Sequence, residues 1–420
     1  MKEWNQFTHF AGFDWAHDHH DVVIVDASGK AVADFRFEHT AKGWADFLQQ
    51  ITAFPDLALA VETKCGAAIE KLMELQCSIF PVHPQSAKAY RQRKVPSGNK
   101  TDRVDAWSLA DALRLDGAQW KQLAPQDPRI KELRLLCRDE VGLIRDRTAL
   151  ISQLRQALYE YYPAALEAFD DWTCPFAWAF VVAFPTPEAL LKAGKRKWEK
   201  FLHLHKLGRP ETYQRRLEIF ANATQFAGSA PVANAKSRLA VTRAKQLQLL
   251  EKQLGEYRTE IQRLFAQHPD APLFESLPGA GEKIAPRLLA EIGDDRALFP
   301  DPQALQCLAG TAPVSFQSGQ IHRVYLRRQC NKFLRHTLHL WANLSRDCCP
   351  WAATYYTALR AKGKSHAGAL RALGQRWLKI VWKMWQTRTV YDADLHGRNQ
   401  LKHGSWVLQL VTKADADPKK

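Results

Sequence analysis

The sequence predicts a multidomain chain: an N-terminal α/β domain, a long helical middle and a mostly helical C-terminal domain. Three observations carry this reading. Residues 7–115 alternate strand-like and helix-like patterns. From about 127 to 267 apolar residues recur at helical spacings of three and four. Beyond 311, cations and tryptophans crowd together and acids almost vanish.

In the first region the expected strands are 7–14, 21–26, 31–38, 57–62 and 78–82, with Ala27–Lys30 supplying a hairpin turn between the second and third. Helices are expected at 41–53, 66–76 and 102–115. A three-strand meander followed by helix, strand, helix, strand is the element order of a ribonuclease H-like domain of Holliday-junction-resolvase type, assigned to 1–125. In the second region, 126–270, Leu247, Leu250, Leu254, Tyr257, Ile261 and Leu264 form an a/d pattern, and Leu133, Leu136, Leu143, Leu150 and Leu154 fit the same repeat with polar gaps at Glu140 and Arg147. This predicts two long coiled-coil helices that pair with each other or with a second copy. The proline-containing stretch 163–230, with the basic run 195-KRKWEK-200, reads as a helical insertion. In the third, 271–395, the Pro-Gly-x-Gly turn in 277-LPGAGEKIAPRLLAEIG-293 has the layout of a helix-hairpin-helix, whose glycine-loop amides can hold a phosphate. Residues 396–420 form a tail.

Charge points to the partner. The net charge of +15 is uneven: residues 1–120 carry 13 Lys/Arg against 16 Asp/Glu, and 311–391 carry 14 Lys/Arg against the single acid Asp347. Such a surplus interleaved with aromatics is the footprint of a phosphate-backbone partner. The N-terminus lacks a signal layout, and the longest uncharged apolar stretch, 172–187, is short and holds three prolines, so neither export nor membrane spanning is expected. The eight cysteines show no zinc spacing and are expected to be reduced thiols of a cytoplasmic protein.

The chemistry is expected at four acids. Asp14 ends the first strand and Glu62 the fourth, which are neighbours in the expected sheet; Asp102 and Asp105, at i and i+3, share one helix face. Four carboxylates without paired cations in the immediate sequence call for hard divalent ions, Mg²⁺ or Mn²⁺. Two such ions about 4 Å apart clamp the attacking and leaving oxygens of a phosphodiester displacement. The cations around them, Arg91, Arg93, Lys94 and Lys100 in the preceding loop and Arg103 at the helix start, read as placed to meet a nucleic-acid backbone. His17, His19 and His20 match no metal spacing and are read as structural. An actin-like ATPase would need a glycine- and hydroxyl-rich phosphate loop where this chain has 14-DWAHDHHD-21.

Taken together, 12-GFD-14, 60-AVET-63, 99-NKTDRVDA-106, 277-LPGAGEKIAPRLLAEIGD-294, 308-LAGTAP-313 and 317-QSG-319 make the chain, from about Phe10 to Trp385, resemble the DEDD transposases of bacterial insertion sequences, RNA-guided bridge recombinases with a catalytic serine. The resemblance implies that Asp14, Glu62, Asp102 and Asp105 form the metal-binding tetrad. It also implies that Ser318 is the nucleophile, forming a phosphoserine link that conserves the phosphodiester bond for rejoining. Implied partners are double-stranded donor and target DNA, a structured guide RNA, and further copies of the chain as a dimer assembling to a tetramer. Backbone contacts are expected from Gly279, Gly281 and Lys283 in the turn and from Arg323, Arg327, Arg328, Lys332 and Arg335 after the serine. The chain departs from the family pattern in placing His17 where a lysine is usual and Cys330 where 327-RRQCNK-332 would hold a glycine. Two other readings of the residues stay open: a metal-dependent, structure-selective nuclease of resolvase type in which Ser318 is inert, and a nucleic-acid-binding protein without activity.

Overall fold

A computed structural model of the chain describes residues 2–63, 66–95, 97–98, 100–225 and 227–404. Cys65, Asn99 of the 99–106 motif and the tail beyond 404 lie outside the described residues. The chain divides into two compact units, Met1–Pro125 and Gln126–Lys420.

The first unit is built on a five-stranded mixed sheet. Its strands are β1 (His9–Trp15), β2 (His19–Asp26), β3 (Ala31–Glu38), β4 (Leu57–Val61) and β5 (Ser78–Pro81), in the order β3-β2-β1-β4-β5. β1, β2 and β3 pair antiparallel, while β4 runs parallel to β1 and β5 parallel to β4. Side-chain alternation divides the core between the two faces. Phe13, Val22, Ile24 and Phe37 pack with Trp44 and Phe47 of α1 (Ala41–Ile51) and Ile69 and Leu72 of α2 (Ala67–Glu74). Phe10, Val23, Val25 and Ala58 pack on the other face against Ala106, Leu109, Ala110 and Leu113 of the helix at Asp102–Asp116.

One helix of this unit was not foreseen. α3 spans Pro84–Lys94, with proline in its first turn and the His83 ring accepting from the Gln85 N–H at 3.1 Å. Arg91, Arg93 and Lys94 therefore occupy its last turn rather than a loop, where cations suit the helix dipole. α4 (Asp102–Asp116) follows, capped by the Thr101 hydroxyl, which accepts from the Val104 N–H at 3.2 Å. Asp102 and Asp105 lie in its first turn.

The second unit hangs on two long helices, α5 (Pro128–Tyr161) and a later partner at Ala230–Ala266. Between them lie the short helices of the insertion: α6 (Pro163–Ala168), α7 (Pro175–Ala183), α8 (Pro187–Ala193), α9 (Lys195–Leu204) and α10 (Pro210–Ala221). The partner helix is α11 (Ala230–Ala266), and it runs antiparallel to α5: Glu160 meets Lys236, Arg147 meets Glu251 at 2.6 Å, and Glu140 meets Arg258 at 3.2 Å. The expected polar gaps at Glu140 and Arg147 are thereby ion pairs across the helix pair. The seam is consumed within the chain, since Leu247 and Leu254 have no exposed surface. Leu143, Leu150 and Tyr257 of the same repeat are half-buried.

The far end of the pair carries an aromatic core of Tyr161, Tyr162, Phe169, Trp178, Phe180 and Phe220. Around the near end, Ile130, Leu133 and Phe265 join the C-terminal helices: α12 (Ala271–Glu275), α13 (Gly281–Ile292), α14 (Pro302–Leu308), α15 (Lys332–Cys348), α16 (Pro350–Ala361), α17 (His366–Thr387) and α18 (Ala393–Lys402). Glu140 is buried there and is also bound by Arg287 at 2.7 Å. A two-stranded ribbon, β6 (Val314–Ser318) and β7 (Ile321–Tyr325), projects between α14 and α15. No described helix is long and apolar enough to cross a membrane.

Candidate active site and nucleic-acid interface

The acids of the first unit are assembled by one close approach. A Cβ at Gly12 would overlap the Ala106 carbonyl oxygen and stand 2.7 Å from the Ala110 nitrogen, so α4 crosses β1 at the glycine of the Gly-x-Asp sequence. Two residues on, Asp14 lies on the face of the sheet that α4 covers. The β1–β4 register pairs Phe13 with Val61, so Asp14 and Glu62 are the next residues along the two parallel strands. Asp105 and Asp102 in the first turn of α4 complete the group.

A fifth acid joins them. Asp21 of β2 pairs directly with Asp14 of β1 and sits on the same face. Half-buried and facing Asp105, Asp102, Glu62 and Asp21, Asp14 has its carboxyl pushed up to about 7, first by burial and then by those four charges. His19, two residues before Asp21, points the same way: its Nε2 is 3.8 Å from Asp21 and 3.7 Å from Asp102. His19, Asp21 and Asp102 are the one group among the described residues whose ligand atoms all lie within 4.8 Å of one another, and Asp14, Glu62 and Asp105 stand outside it. The structural reading of the histidines is right for His20, whose ring is buried against Phe13 and Phe37, donates or accepts at 2.8 Å with His39, and is depressed to about 4 by burial. His19 lies beside the acids, with its Nδ1 2.9 Å from Asp18.

The expectation that the acids lack paired cations is also corrected. Arg36 of β3 reaches across the sheet to Asp21 at 2.9 Å and Asp102 at 3.0 Å, and Arg91 donates to Asp105 at 2.6 Å. Neither pairing was visible in the sequence because both depend on elements brought together by the fold. Of the cations assigned to nucleic acid, Lys94 is engaged with buried Asp111 at 2.5 Å and Arg103 with Asp34, while Arg93 and Lys100 are exposed.

Beside the acids lies a cleft of roughly 310 Å³ whose lining includes Glu62, Asp105, Gln85, Lys88, Arg91 and Lys100. Gln85, Lys88 and Arg91 fall at i, i+3 and i+6 on one face of α3. That spacing would have pointed to Lys88 had Pro84 been read as a helix start.

In the second unit Ser318 ends β6 and pairs with Ile321 across a tight turn in which Gly319 has φ +54°. Every residue of the ribbon is exposed. Register places Ser318 on one face with Val314, Phe316, Ile321, Arg323 and Tyr325, and puts Gln317 and His322 on the other. Arg323 is exposed on the same face two residues from the Ile321 pair, Arg328 and Lys332 are exposed beyond the ribbon's base, Arg327 donates to the Ala312 carbonyl at 3.3 Å and Arg335 to the Arg327 carbonyl at 3.5 Å. Cys330 stands where its Sγ would meet a Cβ on Gly310, which has φ +68°. In the glycine turn, Gly279 has φ +74° and lies against the α15 backbone at Leu344 and Ser345, with the Trp341 indole donating to the Pro278 carbonyl at 2.9 Å. Gly279 therefore has a packing reason to be glycine; Gly281 and Lys283 face solvent.

An acid-lined site on an α/β unit, with a strongly cationic helical unit on the same chain, defines a nucleic-acid-processing protein. Residues 11–163 match the DEDD transposase family of IS110, and residues 271–357 match the transposase family IS116/IS110/IS902. A protein of Streptomyces coelicolor named for the mini-circle transposase of IS117 is 31% identical over 409 residues, covering 93% of this chain and 97% of the relative. The 42 kDa protein of insertion element IS900 from Mycobacterium paratuberculosis is 31% identical over 396 residues, covering 91% of this chain and 96% of the relative. The chain belongs to the IS110 family of insertion-sequence transposases and is a DNA-recombining enzyme.

Proposed function

We propose that this transposase cuts and rejoins DNA through a ribonuclease H-like acid centre that holds divalent metal and through a covalent link at Ser318. The observation that carries the first half is Asp14: four other acids meet around a half-buried carboxyl whose pKa is raised to about 7, a charge density that favours a bound cation. The donor set fits such an ion. Three donors, His19, Asp21 and Asp102, already lie within 4.8 Å of one another; Asp14, Glu62 and Asp105, coupled by charge to the same cluster, would complete the set around an ion, and oxygen donors favour Mg²⁺, with Mn²⁺ also suited to the imidazole. When bound, the metal would supply charge stabilisation for phosphodiester displacement. The chain's own residues do the rest. Arg36 and Arg91 hold the carboxylates in place, and Lys88 and Lys100 across the cleft are placed to receive a phosphate.

In this reading the Ser318 oxygen attacks phosphorus, an Oγ–P bond forms as the bond from phosphorus to the leaving sugar oxygen breaks, and the hydroxyl proton ends on that oxygen. Reversal of the step by another strand's hydroxyl rejoins DNA without ATP. The full exposure of the serine on a ribbon flanked by Arg323 and Arg328 supports this role. Target choice by a structured guide RNA accords with the lysine- and arginine-rich surface, which suits backbone contact, while base pairing reads sequence. The test is a denaturing gel of wild-type protein with Mg²⁺ and a nicked donor site. A protein–DNA adduct that Ser318→Ala fails to form is expected. Cleavage without any adduct would instead favour the resolvase-type nuclease.

A further inference from the structure

The insertion carries a surface that metal and serine chemistry leave unused. Between Lys192 and Arg209 the chain holds seven cations and one acid, Glu199, and all seven cations are exposed. The fold explains why they share a side. α9 buries Trp198, Phe201 and Leu202, and the Trp198 indole donates to the Leu190 carbonyl at 2.7 Å, fixing α9 on α8. Lys195, Arg196, Lys197 and Lys200 are left facing solvent. Among the described residues, the ion pair recorded for this group is Lys195 with Glu199 at 4.0 Å, and Glu199 is also engaged by Tyr213.

This is an expensive way to make a solvated face. Ordinary solvated helix faces mix both signs. Here like charges stand side by side, and Lys206 occupies a left-handed conformation, φ +56°, at the end of α9, where glycine would be least strained. The chain keeps a cation at some cost in local stability.

We propose that the exposed face of α9, with the turn through Lys206 and Arg209, docks the phosphate backbone of duplex DNA flanking the site of strand exchange. Duplex is favoured over single strand because the large aromatics of α9 are turned inward: Trp198 and Phe201 are buried and unavailable for stacking on bases. Backbone contact is favoured over base reading because five of the seven cations are lysines, which act as point charges. DNA is favoured because it is the substrate of the transposase class. Distance makes the contact a separate one. α9 is built on the far end of α5 and α11, and the Ser318 ribbon joins helices packed at the near end. The 34 residues of α5 span about 50 Å, or roughly 15 base pairs of duplex.

The test uses the full chain and a fluorescently labelled DNA duplex of about 40 base pairs, long enough to reach both ends of the unit. Replacing four exposed cations together (Lys195→Gln, Arg196→Gln, Lys197→Gln, Lys200→Gln) should leave the thermal midpoint unchanged or raise it slightly. Affinity should fall about 30-fold or more near 0.1 M salt, and the salt slope should drop by about 3 to 4. Lys206→Gly should raise the thermal midpoint while weakening the same duplex. Unchanged affinity and slope in the four-cation protein would overturn the proposal, as would a loss confined to a duplex RNA of equal length. Because the readout is binding, a failure of the metal or serine reading leaves this result untouched.

Discussion

At Asp14 the protein holds a half-buried carboxyl against four other acids. Its pKa in the folded chain, about 7, lies above its usual 3.8, so without metal its contribution to stability is fully present below about pH 4 and is lost as pH rises through 7. Chelated wild-type protein should therefore lose thermal stability between pH 5 and 8 by about a few degrees, and Asp14→Asn should flatten that slope. Mg²⁺ should restore the wild type at pH 8 and leave the variant unmoved. Identical pH profiles with and without the substitution would remove the acid cluster from the account. Asp102→Asn and Asp105→Asn are expected to cut strand cleavage by on the order of 10²–10³-fold while DNA affinity, measured by anisotropy, stays within about threefold. Asp14, Glu62, Asp102 and Asp105 could be named in advance because strand ends and an i, i+3 pair are local patterns. Asp21 and His19 could not be ranked above their neighbours until β2 was laid beside β1.

Elements position these residues through a few backbone approaches. α4 reaches Asp14 because β1 has no side chain at Gly12, so Gly12→Ala must push the helix off the sheet. A loss of about 1–3 kcal/mol in urea unfolding is expected, with cleavage falling further than stability alone accounts for. Wild-type cleavage in a folded Gly12→Ala protein would mean that α4 does not set the acid geometry. Glu140 offers a second case. It is buried between α5, α11 and α13 and bound by Arg258 and Arg287, so Arg287→Met leaves a buried carboxylate short of a partner and should cost about 3 kcal/mol or more. Replacing Glu140 and Arg287 together with apolar residues should recover much of that loss.

For the whole molecule, the two long helices decide how copies of the chain could meet. Leu254 has no exposed surface and is held between α5 and α11 within one chain. Leu254→Asp should therefore unfold the second unit, seen as loss of cooperative melting by circular dichroism, and not convert a folded oligomer into folded monomers. A well-folded Leu254→Asp protein of reduced mass would return the seam to the interface between copies. The exposed apolar side of the Ser318 ribbon is a further surface open on this chain. If the serine and the acids act across copies, mixing Ser318→Ala with Asp14→Asn protein should restore part of the recombination that each lacks, read on a donor and target pair.

The sequence by itself determined the class of the protein, the order of the strands and of every helix but α3 among α1 to α4, the two long helices, and the acids at the strand ends and helix start. These are legible because periodicity, turn chemistry and short motifs act over a few residues. Tertiary structure alone decided the rest. It paired Arg36 with Asp21 and Asp102, and Arg91 with Asp105, contacts that span 15, 66 and 14 residues. It turned His19 toward the acids and His20 into the core, and it closed the heptad seam within one chain. The cause is common to all of them. A side chain's charge partner is set by which surfaces the hydrophobic cores bring together, and amphipathic spacing states that a face will be buried without stating what will cover it.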